Sequence, residues 1–176
     1  MDLSKFNLPD AVEVSGVFYP VHTEHAWWFG FGRQLKDKEA TLPDFDYMYI
    51  GNPPEDRRAG FKALLNFYNE KKELPRSEGD DDKVNILDYD IDADLIWAAI
   101  KQCYGVDLFQ EKVHWHKVRA MLAALPGTRL EEVMGYRCYN GKDAHLQKLR
   151  RMWALPELPD GESEKNLEEF NGLFGD

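Results

Sequence analysis

The sequence predicts a mainly α protein, with a helical bundle in the C-terminal half and a small β-hairpin plus helices in the N-terminal half. Three observations support this fold class. After residue 85, apolar residues recur every three or four positions, as in amphipathic helices. Near the start, two short alternating segments flank a Ser-Gly pair, as in a hairpin. Hydrophobic residues make up 43% and aromatic residues 13% of the 176 residues, which is enough to fill a core.

The hairpin is predicted from Ala11–Val14 and Val17–Val21, where apolar and polar residues alternate. Ser15 and Gly16 lie between these strands, and glycine adopts the positive φ of a tight turn without steric cost.

The first helix is expected to run from Glu24 to about Lys38, with Thr23 as its N-terminal cap. Gly30 and Gly32 weaken such a helix by about 1 kcal/mol each, and they suggest close packing against a neighbouring element. Two adjacent tryptophans cannot both point inward from one helix. The predicted apolar stripe consists of Trp27, Trp28, Phe31 and Leu35.

The segment Thr41–Tyr49 fits either a short helix or a loop before the Pro53-Pro54 stop. Pro54, followed by two acidic residues, is typical of a helix start, and this helix is predicted to reach about Lys72. Its predicted stripe is Phe61, Leu64, Leu65 and Tyr68, with Phe67 beside it.

Four helices are predicted in the C-terminal half. The first is capped by Asp90 or Asp92, runs through Tyr104 and ends at Gly105. The second, expected from about Leu108 to Leu125, would be the central helix of the bundle. Thr128 and Glu131 predict a capping box for a third helix to about Tyr139. The fourth is expected from about Lys142 to Trp153, burying Leu146, Leu149 and Met152 or Trp153.

Composition divides the chain into four segments. Residues 1–72 form the hairpin and helical lobe, 73–85 an acidic linker, 86–156 a helical lobe, and 157–176 an acidic, flexible tail. Residues 78–94 contain eight acids and one lysine, and residues 157–176 contain seven acids and one lysine. With a net charge of −10, this surface repels phosphate backbones, which argues against nucleic acid as the main ligand.

No apolar run approaches the length of a membrane span, and residues 1–20 lack the pattern of a signal peptide. We therefore expect no membrane association and a location in the cytoplasm where the chain is made. Cys103 and Cys138 have no short spacing, so reduced structural thiols are the favoured interpretation.

Two patterns resemble metal sites. The run Asp88-x-Asp90-x-Asp92 starts like a calcium loop, but Ala93 and Ala99 stand where such a loop needs glycine and glutamate. The favoured interpretation is a set of solvent-exposed acidic residues at the start of a helix. Cation binding to the Asp88–Asp94 run is left open. His114 and His116 are separated by about 200° on a helix, so they would point to opposite faces. Asp107, Glu111 and His114 would share a face, which is more often an ordinary polar surface than a metal site.

No nucleophile has a local activating partner, and no phosphate-binding glycine motif is present. The sequence therefore favours a protein that is not an enzyme and has no cofactor. A metal-binding or thiol enzyme, based on Asp107, Glu111 and His114 or on Cys138, is a less favoured alternative.

The order of several segments resembles the gene-product-fifteen family of tail-assembly proteins from long-tailed phages. The similarity covers roughly residues 3–157, and His116 departs from it because the family pattern usually has a tryptophan at that place. The segments that carry it are Leu8–Phe29, Ile86–Leu108, His114–Gly127, Glu131–Arg137 and Leu149–Glu157.

The resemblance implies a non-enzymatic chaperone or adaptor for the tape-measure protein, acting in the host cytoplasm while the tail is built. A tail-tube protein or an upstream tail chaperone is a further possible partner, and a homo-oligomer is left open. The alternative role is a minor structural component of the tail. The predicted partner contacts are the outward faces around Trp97, Trp115 and Trp153, together with a C-terminal peptide at helical spacing that contains Leu167, Phe170 and Phe174.

Overall fold

The computed structural model describes residues 7–37, 39–70 and 86–156, and in these ranges the chain is mainly α, as predicted. None of the described helices has the length and hydropathy that crossing a bilayer requires. The elements in chain order are β1 (Ala11–Val14), β2 (Val17–Pro20), α1 (His25–Gln34), a 3₁₀ helix (Leu42–Met48), α2 (Arg57–Asn69), α3 (Ala93–Tyr104), α4 (Trp115–Leu122), α5 (Arg129–Cys138) and α6 (Ala144–Trp153).

The hairpin is confirmed. β1 and β2 pair antiparallel through a two-residue turn in which Ser15 has a φ of 52° and Gly16 a φ of 82°. Positive φ at both central residues matches the right-handed twist of the strands. Val12 and Val14 are buried on the side of the hairpin that faces the core.

Helix α1 begins at His25, and the predicted cap at Thr23 is wrong. Residues 23–25 are paired with residues 113–115: the His25 amide donates to the Val113 carbonyl at 2.8 Å, and the Trp115 amide donates to the Thr23 carbonyl at 2.7 Å. This pairing holds the backbone before α1 in an extended conformation. The helix then ends at Gln34, earlier than the predicted Lys38.

The ambiguous segment before the two prolines is a 3₁₀ helix with Thr41 and Asp44 as its capping box. Helix α2 starts at Arg57 and not at Pro54, because the Asp56 side chain accepts the Ala59 amide and acts as the cap. It ends at Asn69, short of the predicted Lys72.

Helix α3 ends as predicted at Gly105, which has a φ of 71°. Thr128 caps α5 by accepting the Glu131 amide at 3.2 Å, which confirms the predicted start. The Glu131 carboxylate, however, accepts the amide of Gly127 at 2.6 Å.

The predicted central helix from Leu108 to Leu125 is wrong in its first half. Helix α4 contains only Trp115–Leu122, and the preceding residues form a loop. Tertiary contacts favour the loop, because the His25 ring binds the Leu108 carbonyl through Nε2 at 2.9 Å. The Asp107 amide donates to the Glu111 carboxylate at 2.8 Å, which further stabilises the loop.

The predicted stripe of α6 is the side that packs on α5, but its burial is only partial. No residue of α6 is fully buried, and Met152 is 66% exposed. Leu146, Leu149 and Trp153 are half-buried against α5, so α6 covers the bundle from one side only.

The core consists of two neighbouring clusters of buried side chains. The first joins the hairpin, α1, the 3₁₀ helix and α2, and it also contains Trp115 from α4. The second joins α3, α4 and α5. Phe29 and Tyr89 pack against both clusters. The predicted linker at 73–85 lies outside the described residues, so the proposed division into lobes stays a prediction.

Candidate partner-binding surfaces

The outward side of the hairpin carries apolar side chains that face solvent. In the strand register, Ala11 pairs with Pro20 and Glu13 pairs with Phe18. Successive side chains of a strand point to opposite sides, and Val12 and its partner Tyr19 face the core. Phe18 and Pro20 therefore point away from the core, and Phe18 is 68% exposed.

A third backbone segment extends this outward side. Val21 forms an isolated antiparallel bridge with Tyr49, and the Ile50 amide donates to the Pro20 carbonyl at 2.8 Å. By strand alternation Ile50 lies beside Pro20, on the same side as Phe18. Ile50 is 52% exposed.

An aromatic stack continues the same side beyond the end of β2. The His22 and Trp27 rings are stacked with their centroids 4.1 Å apart and their planes 14° apart. Trp27 also contacts Tyr47 at a centroid distance of 6.0 Å, and both rings remain more than a third exposed. Partial burial raises the pKa of Tyr47, so its phenol is uncharged at neutral pH. We name this surface the β2 aromatic face, and it consists of Phe18, Pro20, His22, Trp27, Tyr47 and Ile50.

A second aromatic surface lies where the half-buried Trp97 of α3 meets the exposed Phe109 of the loop before α4. Their ring centroids are 6.0 Å apart, and Phe109 is 84% exposed. Asp107 holds both residues in place, because its Oδ1 accepts the Trp97 indole N–H and the Phe109 amide, each at 3.1 Å. The bond from Trp97 is the main cause that holds the pKa of Asp107 below its usual value. We name this pair the Trp97–Phe109 surface.

The three tryptophans predicted to face a partner differ in position. Trp97 is half-buried and belongs to the surface just defined. Trp153 is half-buried on α6, with the Arg129 guanidinium 5.2 Å from its ring centroid. The outward position predicted for Trp115 is wrong, since its side chain is fully buried. The Trp115 ring is stacked on Tyr68 at 5.1 Å, and its indole N–H donates to the Tyr68 carbonyl at 2.9 Å.

The remaining predicted contacts, Leu167, Phe170 and Phe174, lie outside the described residues. Conversely, Phe18, Ile50, Tyr47 and Phe109 are surface residues that were not predicted from the sequence. One signal was available for Phe18, which alternates with the core-facing Tyr19. Trp27 was also recognisable, because Trp28 takes the inward position and is fully buried.

His114 and His116 form hydrogen bonds with backbone groups. His114 precedes α4 with an extended backbone, so it and His116 do not point to opposite faces as predicted, and their ring centroids are 5.1 Å apart. His114 Nδ1 accepts the His116 amide, and its Nε2 donates to the Pro9 carbonyl at 2.9 Å. His116 Nε2 donates to the Phe67 carbonyl at 2.9 Å. Burial lowers the pKa of both imidazoles.

Within the described ranges, no three His, Cys, Asp or Glu side chains are grouped closely enough to hold a metal ion. Asp107 and Glu111 instead bind loop groups, as described above. Cys103 is half-buried with its Sγ 3.7 Å from the Pro126 carbonyl oxygen, and Cys138 is exposed; both are free thiols.

The acidic run before α3 is not the solvated helix entry that was predicted. Asp92 is 2% exposed and forms a two-bond ion pair with Arg137, at 2.6 and 2.8 Å. Asp88 and Asp90 bind Lys36, which follows α1, at 2.9 and 3.3 Å. The carboxylates of Asp88, Asp90 and Asp92 therefore form ion pairs that link this run to Lys36 and to Arg137.

Comparison with known proteins gives a family match. The family model described as Bacteriophage Gp15 protein matches residues 7–155, which is most of the chain. No curated protein and no solved structure matches the chain.

Proposed function

The chain belongs to the bacteriophage Gp15 family, and from this membership we propose that it is a non-enzymatic tail-assembly chaperone that binds the tape-measure protein during tail building. The family resemblance seen in the sequence implies this role. In this proposal the protein covers apolar stripes of the tape-measure protein until tail-tube subunits replace it. Its net charge of −10 keeps the complex from aggregating.

The observation that carries this proposal is the Trp97–Phe109 surface. Phe109 is 84% exposed, yet Asp107 binds its amide and the neighbouring indole. Binding costs less conformational entropy when contact groups are already held in place. Exposed aromatic rings on a prearranged backbone are typical of residues that dominate protein–protein binding.

The test is coexpression of the full-length chain with segments of the tape-measure protein of the same phage, followed by pull-down and gel filtration. We expect a complex whose affinity falls about tenfold in Phe109→Ser, which removes one exposed anchor. Met152→Ser is the matched control, because Met152 is also exposed, on α6. It should bind like the wild type.

A second measurement separates the chaperone from a structural tail protein. Mass spectrometry of purified particles should find the chain absent or far below stoichiometric amounts. Absence of any complex, together with stoichiometric amounts in finished tails, would overturn the chaperone proposal.

A further inference from the structure

We propose that the β2 aromatic face binds an amphipathic helix whose apolar stripe is bordered by lysine or arginine residues. This inference rests on the proposed function only for the identity of the helix, which would be a segment of the tape-measure protein. The residues of the surface themselves determine the chemistry of the helix that fits it.

The size of the surface fits a short helix. Phe18 and His22 are separated by four residues of extended backbone, which is about 13 Å. Trp27, stacked on His22, and Tyr47 beyond it lengthen the surface further. A helix rises about 5.4 Å per turn, so two to three turns with anchors at i, i+3, i+4 and i+7 cover this length.

Hydrogen bonds to the backbone already hold the side chains of this surface in place. Pro20 and Ile50 are joined by a backbone hydrogen bond of 2.8 Å, which keeps their side chains side by side. The His22 carbonyl accepts the Trp28 indole N–H at 2.7 Å, so the backbone under the aromatic stack is tied to the core. A partner helix therefore meets a prearranged surface.

Carboxylates border the surface at three places. Glu13 is exposed and is the cross-strand partner of Phe18. Glu24 lies three residues before Trp27, about one helical turn away. Asp44 is exposed and lies three residues before Tyr47 in the 3₁₀ helix, where residues at that spacing are aligned.

These carboxylates have the charge that a basic partner needs. Hydrogen bonds from the Thr41 hydroxyl and amide hold the pKa of Asp44 below its ordinary value, so it stays ionised. Lys112 lies 4.0 Å from Glu24, at the limit of an ion pair, and is itself strongly exposed. An arginine or lysine of the partner can reach the carboxylates and also contact the face of the Trp27 ring.

The same charges disfavour other occupants. A second copy of the chain would bring the same three carboxylates to the interface. The C-terminal segment 157–176 contains seven acids and one lysine, so like-charge repulsion opposes its binding here. Charge complementarity therefore favours a basic amphipathic helix.

The test uses the full-length chain and two labelled synthetic peptides, measured by fluorescence anisotropy. Both peptides have the same 18-residue helical pattern with leucines at i, i+3, i+4 and i+7. In one the bordering positions are lysine, and in the other they are glutamate. We expect the lysine peptide to bind at least about tenfold more tightly, with an affinity that falls as salt is added.

Two surface variants locate the binding site. Phe18→Ser removes an exposed ring from the β2 aromatic face and should weaken the lysine peptide about tenfold. Ile91→Ser changes an exposed apolar side chain before α3, outside both aromatic surfaces, and serves as the matched control. Equal binding of both peptides, or unchanged binding in Phe18→Ser, would overturn the inference.

The same variant separates this inference from the proposed function. If a tape-measure complex forms with the wild type and is unchanged in Phe18→Ser, the chaperone role stands and this docking surface is wrong. If the lysine peptide binds at Phe18 but no tape-measure segment does, the surface stands and the proposed function is wrong.

Discussion

At the scale of single residues, Arg137 of α5 is a buried charged residue with several hydrogen-bond partners. Its guanidinium binds Asp92 twice, the Ile86 carbonyl at 2.9 Å and the Trp153 carbonyl at 2.7 Å. Arg137 and Asp92 are 3% and 2% exposed, so each charge depends on the other for its solvation. The Arg137 side chain therefore links Ile86 and the start of α3 to the end of α6.

Removing one member of this pair should be costly. Arg137→Met leaves the Asp92 carboxylate buried and unpaired, and we expect the free energy of unfolding to fall by about 3–5 kcal/mol. The double variant Arg137→Met with Asp92→Leu removes both charges and should be more stable than Arg137→Met alone. Urea unfolding of Arg137→Met, Asp92→Leu and the double variant measures these differences, and simple additivity of the two single changes would contradict the assignment.

At the scale of elements, the packing of α1 on α2 depends on the absence of a side chain at one position. A Cβ atom on Gly32 would overlap the Tyr68 hydroxyl oxygen. Tyr68 cannot easily move away, because its ring is stacked on Trp115 and packs beside Trp28. The close packing predicted from the helical glycines is thus found at Gly32, and not at Gly30.

The two glycines form a matched pair for testing this contact. Gly32→Ala should destabilise the protein by about 1–3 kcal/mol, because overpacking forces the aromatic stack apart. A Cβ atom on Gly30 meets nothing within 4 Å, so Gly30→Ala should stabilise α1 by up to about 1 kcal/mol. Thermal and urea unfolding measure both changes, and equal effects in the two variants would contradict this description of the contact.

At the scale of the whole molecule, α4 connects the N-terminal and C-terminal parts of the described chain. Trp115 fills the first core, while Val118 of the same helix belongs to the second. His116 binds the Phe67 carbonyl of α2, and His114 binds the Pro9 carbonyl. The stability of this connection depends on keeping both imidazoles uncharged.

This connection predicts a dependence on pH. Burial lowers the pKa of His114 and His116 in the folded state, whereas in the unfolded chain a histidine has a pKa of about 6.5. As the pH falls through 6.5, the unfolded state therefore binds more protons, and stability falls. His116→Gln retains a donor for Phe67 but does not titrate. Between pH 7.5 and 5.5 it should therefore lose less stability than the wild type.

The carboxylates of Asp88 and Asp90 affect stability in a lower pH range than the histidines, which provides a control. Burial raises the pKa of Asp88, but hydrogen bonds from Lys36 and from the Ile91 and Asp90 amides outweigh it and lower the pKa. The hydrogen bond from Arg33, with a further one from Lys36, lowers the pKa of Asp90, so the contribution of both carboxylates is lost only as the pH falls below about 4. Unfolding curves at several pH values separate the two ranges. Identical slopes for the wild type and His116→Gln above pH 5.5 would contradict the role of His116.

Elements whose boundaries depend on neighbouring residues are predictable from the sequence. The hairpin turn at Ser15-Gly16, the end of α3 at Gly105 and the start of α5 at Thr128 follow from local conformational preferences and local hydrogen bonds. These interactions join residues a few positions apart, so a pattern in the sequence is sufficient to predict them. The family resemblance likewise follows from the order of the segments alone.

Contacts between distant parts of the chain determine which aromatic rings are buried and which form a surface. Trp115 is buried because residues 113–115 pair with residues 23–25 and bring that ring to Trp28 and Tyr68. Phe109 is exposed because the loop before α4 replaces the expected helix. Each outcome depends on contacts between residues far apart in the chain. A ring's hydrophobicity and its helical spacing are the same in the core and on a binding surface, so only the neighbouring elements distinguish the two.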